Sequence, residues 1–264
     1  MNFIRRIRQL FHPMEEGLLL TVVFLLLTAA ALSVPAAVYI SASAGEAMLP
    51  VYRVERSDQL LSLTFDAAWG NEDIREILAI LEKHQIRATF FVTGDWACAY
   101  PEEIRVITAA GHDIGNHSAT HPRMTELSEE SMKRELLSVQ ETVRELTGQQ
   151  MSLFRAPYGE YNNRLLQTAA ACGYQTIQWS VDSEDWREYG VEEIVEAVTK
   201  SRDLGSGAII LMHSGAKYTR DALEAVILTL EEAGYQFVPV SELIYTDHFR
   251  IDASGKQIPD SDSL

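Results

Sequence analysis

A closed or nearly closed barrel of about seven parallel strands, each followed by a helix, is the fold this sequence predicts. Three observations lead to it. Short runs rich in β-branched and aromatic residues alternate with amphipathic stretches from Leu60 onward, and such alternation builds parallel sheets with right-handed crossovers. Gly111, Gly148, Gly173, Gly205 and Gly234 each follow a helical pattern, where a helix end favours a residue that enters the left-handed region at little cost. No Gly-x-Gly-x-x-Gly turn follows the first strand, which argues against an open, doubly wound sheet.

The expected strands are 60–66 (LLSLTFD), 88–93 (ATFFVT), 112–116, 152–155, 176–181 (TIQWSV), 207–212 (GAIILM) and 236–239 (QFVP). Helices are expected near 72–84, 101–110, 128–147, 162–172, 191–203 and 219–233. Within them Ile74, Ile77, Leu78 and Leu81 recur at helical spacing, as do Leu223, Val226, Ile227 and Leu230, so each helix has one face to bury. Ser128 ahead of Glu129 and Glu130 reads as an N-cap with an acidic first turn.

The chain has 264 residues, 47% of them hydrophobic, enough for a sizeable core. Its net charge is -16; Arg5, Arg6 and Arg8 against Glu15 and Glu16 leave the first 44 residues at +1, so the remainder carries -17. Such an acidic body argues against nucleic acid or an anionic lipid surface as a partner and suits a neutral or cationic substrate. Cys98 and Cys172 are too few for a disulfide framework and leave one bond or two free thiols open.

Gly17–Ile40 is an uncharged run of 24 residues dense in Leu, Val and Ala, long enough to span a bilayer as a transmembrane helix. The arginines before it predict a cytoplasmic N-terminus and a body outside. The alternative is a secreted protein cleaved after the small-x-small sequence Ala42-Ser43-Ala44. The chain thus divides into 1–44 (cytoplasmic stub and anchor), 45–57 (linker), 58–245 (the globular domain) and 246–264, a polar, acidic tail expected to be disordered.

Loops at the C-terminal ends of parallel strands surround a common hollow, and five of the seven strand ends carry reactive side chains. They are Asp66; Asn116-His117-Ser118-Ala119-Thr120-His121-Pro122; Arg155-Ala156-Pro157-Tyr158-Gly159; Asp182-Ser183-Glu184-Asp185-Trp186; and Leu211-Met212-His213. Taken singly, each has an ordinary structural reading. Five on one rim make a site.

His117 and His121, four apart, can bind one divalent metal such as Zn²⁺, Co²⁺ or Mn²⁺. Asp66 is then a third ligand, or the base that takes a proton from water. Arg155 reads as a carboxylate partner, the Tyr158 amide as an oxyanion donor and His213 as a general acid whose pKa Asp185 would raise. Trp69, Trp186 and Leu211 supply apolar or stacking surface for substrate. This set suits hydrolysis of an amide or ester, since a leaving nitrogen needs an acid. A glycoside hydrolase using Asp66 with Asp182 or Asp185 leaves the histidine pair unexplained; a binding module leaves the acid and base unexplained.

Residues 60–245 resemble the polysaccharide deacetylases with the NodB homology domain, carbohydrate esterase family 4. The resemblance rests on Thr64-Phe65-Asp66, the His117–Pro122 motif, Arg155–Gly159, Asp182–Trp186 and Leu211-Met212-His213, with Ala88–Gly94 and Gly111–Asn116 in support. It implies a distorted (β/α) barrel and metal-dependent removal of N-acetyl groups from N-acetylglucosamine-containing polysaccharide such as peptidoglycan or chitin. It also implies Asp66 as base, His117 and His121 as metal ligands, Arg155 steadying Asp66, the Tyr158 amide at the oxyanion, and His213 as acid tuned by Asp185. The chain departs from the family at Ala67, where a second Asp normally serves as third metal ligand. In this respect Phe65–Gly70 is similar to a sporulation-associated branch of the family.

Overall fold

Parallel pairing converges on β2 (Leu60–Ala67), the longest strand described. It lies between β3 (Thr89–Val92) and β8 (Ile209–His213), registering Asp66 opposite Phe91 on one side and His213 on the other. The computed structural model describes residues 47–260. The expected membrane span and the cleavage site near Ala44 lie outside these; among the described residues no helix is long and apolar enough to cross a membrane.

Outward from β3 come β4 (Asp113–Asn116), β5 (Leu153–Phe154) and β6 (Gln175–Thr176), and beyond β8 comes β7 (Val181–Asp182). All are parallel, and β9 (Gln236–Phe237) pairs with the start of β2. The β-branched and aromatic side chains of β2, β3 and β8 face helices on the outside and one another within, with Phe65 stacked on Phe90 at 5.0 Å. Burial of that surface drives the assembly.

The helices are α1 (Ile74–Lys83), α2 (Gly94–Ala99), α3 (Pro101–Ala109), α4 (Glu129–Thr147), α5 (Asn163–Ala171), α6 (Val191–Thr199), α7 (Thr219–Glu232) and α8 (Val240–Leu243). The Ser128 hydroxyl accepts from the Ser131 amide at 3.3 Å and Gly148 adopts φ 75° at the far end of α4, as the capping pattern predicts. Gly205 caps no helix, because α6 stops at Thr199 and a turn follows.

The expected strand 176–181 is two strands, which form the two edges of the sheet and do not pair with each other. Its start pairs with β5 and its end with β8, so one continuous segment joins the two edges of the sheet. Between them sits β1 (Arg53–Val54) and the residues before it. The Val51 amide donates to the Thr176 carbonyl at 2.9 Å, the Gln178 amide to that of Val51 at 2.7 Å, and the Val54 amide to that of Gly207 at 2.9 Å. A Cβ on Gly207 would lie 1.8 Å from the Val54 carbonyl oxygen, so only glycine permits this approach.

Two expectations fail here. The stretch 45–57 is not a plain linker: Val51 and Val54 are fully buried against Ile177 and Ile209. The described part of the tail, 246–260, is ordered: β10 (Phe249–Ile251) and β11 (Lys256–Pro259) form an antiparallel pair and β1 joins β11 in parallel. Cys98 and Cys172 are both free thiols.

Candidate active site

Asp66 and His213 are register neighbours at the C-terminal ends of β2 and β8, and around them stand two separate carboxylate clusters. In the first, Asp66 is buried and its Oδ1 accepts from Arg155 Nη1 at 2.6 Å. Arg155 is wholly buried, donates also to the Gln178 carbonyl at 3.2 Å, and stacks its guanidinium 4.1 Å from the Phe91 ring centroid. Burial alone would raise the Asp66 pKa; the charges of Arg155, His117 and His213 outweigh it, and the carboxyl is held below its ordinary range.

His117 Nδ1 lies 2.9 Å from the Arg155 carbonyl. A carbonyl only accepts, so Nδ1 carries the hydrogen and Nε2 presents a lone pair. That Nε2 stands 3.5 Å from Asp66 Oδ2. Burial pushes the imidazole down to about 4, so it is neutral near pH 7. His121 lies edge-on to it with ring centroids 4.9 Å apart. The connecting loop is held from behind by Glu135 on α4, whose carboxylate accepts from the amides of Ala119 and Thr120, both at 2.9 Å, and from the Thr120 hydroxyl at 3.1 Å.

His117 thus presents a lone pair as a ligand would, with the His121 ring beside it, but the third place is not filled. Ala67, fully buried, offers a methyl group, and Asp66 Oδ1 is already taken by Arg155. Among the described residues no group of three or more His, Cys, Asp or Glu could hold a metal ion. These residues do not fit a closed three-ligand metal site.

In the second cluster the wholly buried Asp185 accepts three donors. His213 Nδ1 donates to Oδ1 at 2.7 Å, while the His213 amide (2.7 Å) and the Thr219 hydroxyl (2.6 Å) donate to Oδ2. Burial depresses the His213 pKa, but the Asp185 hydrogen bond and charge, with those of Asp66 and Asp182, more than offset it, so the pKa is raised. Trp69 stacks on His213 at 5.7 Å and 21°. A Cβ on Gly215 would lie 2.4 Å from the Trp69 carbonyl, and the Gly215 amide donates to both Asp73 oxygens at 2.9 Å. Asp73 therefore ties down the two loops that bring Trp69 over His213.

Tyr158 has φ 61°, in the left-handed region that a non-glycine residue occupies at a cost of about 1–3 kcal/mol. Ser118, His121 and Glu184 on the neighbouring loops share this conformation. The Tyr158 ring packs on His121 at 4.6 Å with Arg123 over its face at 5.0 Å, and its amide meets no backbone carbonyl among the described residues. Trp69, Tyr158, Trp186 and Tyr189 are exposed, and Arg187 lies over the rings of Trp186 and Tyr189. Leu211 is 3% exposed and offers little surface.

Nine of the ten residues singled out from sequence stand at strand ends or in the loops that follow them; Leu211 lies within β8 and is buried, so it is not placed to touch a substrate. The sequence reading missed Thr219, Glu135, Asp73 and Tyr189. A Thr opening a helix and a Glu within one look ordinary; only an exposed aromatic two residues beyond Arg187 could have pointed to Tyr189.

Residues 53–177 match the family model for polysaccharide deacetylase. The chain is 33% identical to the peptidoglycan-N-acetylmuramic acid deacetylase PdaA of Bacillus subtilis over 76% of this chain and 77% of that protein. It is also 33% identical to the peptidoglycan-N-acetylglucosamine deacetylase PgdA of Listeria monocytogenes, over 76% of this chain but only 41% of the relative. Among solved structures it superposes on BA3943, a CE4 family pseudoenzyme from Bacillus anthracis, with TM-score 0.70 and 34% identity, covering 74% of this chain and 68% of that one. A BA3943 mutant with restored enzymatic activity matches with the same TM-score at 35% identity, covering 74% and 70%. Motifs, barrel and relatives agree: the chain belongs to the polysaccharide deacetylase family.

Proposed function

We propose that the protein is a peptidoglycan N-deacetylase acting on N-acetylglucosamine-containing cell-wall polysaccharide, tethered by residues 17–40 with its body outside the cytoplasm. The observation that carries the reading is the Asp185–His213 pair, with His213 Nδ1 donating to Asp185 at 2.7 Å and its pKa raised. A glycan-holding module has no use for an imidazole kept protonated above its ordinary range.

In this reading the acetamide carbonyl oxygen takes the Tyr158 amide as its donor. Water adds to the carbonyl carbon and Asp66 Oδ2 takes its proton. The carbon–nitrogen bond then breaks as His213 Nε2 hands a proton to the departing nitrogen, leaving acetate and a free amine. Trp69 and Trp186 flank the sugar rings. Asp66, held ionised by Arg155, is a weak base, so water activation is the harder step. No step is routed through a metal, because the donor set is incomplete.

Ala67 favours a second reading, a glycan-binding protein on a deacetylase scaffold; BA3943, on which the chain superposes, is itself a CE4 family pseudoenzyme. One experiment separates the two. Acetate release is measured from peptidoglycan and N-acetylglucosamine oligomers by the whole protein, metal-stripped and with Zn²⁺, Co²⁺ or Mn²⁺ restored, beside Ala67→Asp. Release by the native protein establishes the deacetylase; silence, with release only from Ala67→Asp, establishes the binding reading.

A further inference from the structure

At the opposite end of the barrel lies an open cavity of about 460 Å³ lined by Arg53, Arg56, Lys256, Glu55, Ser206 and neighbours. Arg53 is on β1, next to Lys256 on β11, and bridges to Ala208, just before β8. These are the N-terminal ends of the strands whose other ends carry Asp66 and His213. Six residues of β2 separate the two levels, about 20 Å of extended chain.

The cavity inverts the charge of the body, three cationic side chains gathering in a domain of charge -17. Two have partners. Arg56 pairs with Asp58 (2.9 and 2.5 Å) and donates to the Leu243 carbonyl at 2.9 Å, and Lys256 pairs with Glu55 at 3.1 Å. Arg53 does not: among the described residues no carboxylate meets it, and its one hydrogen bond is a long one, 3.4 Å, to the Ser206 carbonyl. Its Nε is buried without an acceptor, and so is the Ser206 hydroxyl.

We infer that this cavity binds a phosphate group, with Arg53 as its principal ligand. Donors from β1, β11 and the turn before β8 surround the space from different directions. A planar carboxylate is satisfied by one guanidinium fork; a tetrahedral phosphate has oxygens for all three and carries up to two negative charges. The volume leaves room for an ester substituent. The phosphate belongs either to a free or polymer-borne phosphoester or to a phospholipid headgroup, since Arg53 follows the apolar run ending at Ile40 by 13 residues.

The test is calorimetric titration of the full-length chain, in non-ionic detergent, with inorganic phosphate, glycerol 3-phosphate, dihexanoyl phosphatidylglycerol and acetate. Saturable phosphate binding is expected, weakened at least about tenfold in Arg53→Met. Glu55→Gln, which frees Lys256, is expected to strengthen it about threefold, a gain that misfolding cannot mimic. Tighter binding of phosphatidylglycerol than of glycerol 3-phosphate assigns a lipid headgroup; equal binding assigns a soluble or polymer phosphate. No saturable binding, binding unchanged in Arg53→Met, or acetate bound as tightly as phosphate overturns the inference. None of these outcomes depends on deacetylation.

Discussion

Two buried carboxylates, Asp66 and Asp185, serve the ends of neighbouring strands, and they are wired differently. Asp185 is tied to a group that titrates: His213, the His213 amide and Thr219 all donate to it. Asp66 is tied to a permanent cation, Arg155, and faces a neutral imidazole whose lone pair meets its own oxygen at 3.5 Å. The first arrangement stores a deliverable proton. The second locks a charge in place and leaves two acceptors facing each other, with a methyl group rather than a carboxylate at position 67 beside them. In the proposed reaction the half that would donate the proton has its full set of partners, and the half that would activate water is thinned.

The sharpest way to break this contrast is to unwire the complete half. Asp185→Asn should lower acetate release by about 10²- to 10⁴-fold and bring the His213 titration, followed by NMR, down in pH; an unmoved titration removes Asp185 from its role. The sign is definite. A histidine pKa raised on folding contributes stability that is present below the unfolded value and lost as pH rises through the folded one, and this contribution should disappear in Asp185→Asn.

On the other side, Arg155→Met leaves Asp66 buried and uncompensated. It should cost about 3–5 kcal/mol in denaturant unfolding; a loss below about 1 kcal/mol would mean that the ion pair contributes little beyond its own desolvation. Ala67→Asp addresses the thinned half directly. Zn²⁺ affinity should rise at least about tenfold, with a matching rise in melting temperature on adding metal, and an unchanged isotherm would show that the missing ligand is not what limits binding.

The smallest expected effect lies away from the rim and serves as a control. His112 is buried, its Nδ1 accepts from the Ala88 amide at 3.0 Å, and burial, with Arg87 nearby, pushes its pKa down to about 4. Between that value and the ordinary 6.5 the unfolded chain binds more protons, so stability falls as pH drops through this window, by about 2 kcal/mol allowing for solvent screening. His112→Gln should flatten that part of the pH–stability curve without touching the rim contrast; an unaltered slope would assign it to other groups.

Much of the rim was legible in the sequence because its residues end strongly apolar strands, and the strand that carries Asp66 pairs in register with the one that carries His213. Local pattern could not say on which side a strand finds its partner. The run 176–181 therefore read as one strand, although its two ends belong to opposite edges of the sheet. Nor could it reveal β1, β10 and β11, which are two to four residues long and show no clear alternation, and of which β1 finds β11 some 200 positions away. Thr219 escaped for the same reason: its hydroxyl matters only because Asp185, 34 residues earlier, comes within 2.6 Å.

The seam at Val51–Val54 has a mechanical consequence. If the chain is tethered at its N-terminus, tension enters the body at these residues and falls on the backbone bonds to Thr176, Gln178 and Gly207. Those bonds join the two edges of the sheet, so a pull on the tether works at the barrel's closure before it reaches any helix. A cut ahead of Met48 leaves this clasp whole; a chain shortened to begin at Ser57 would lose it, and the barrel would open where β6 and β7 part.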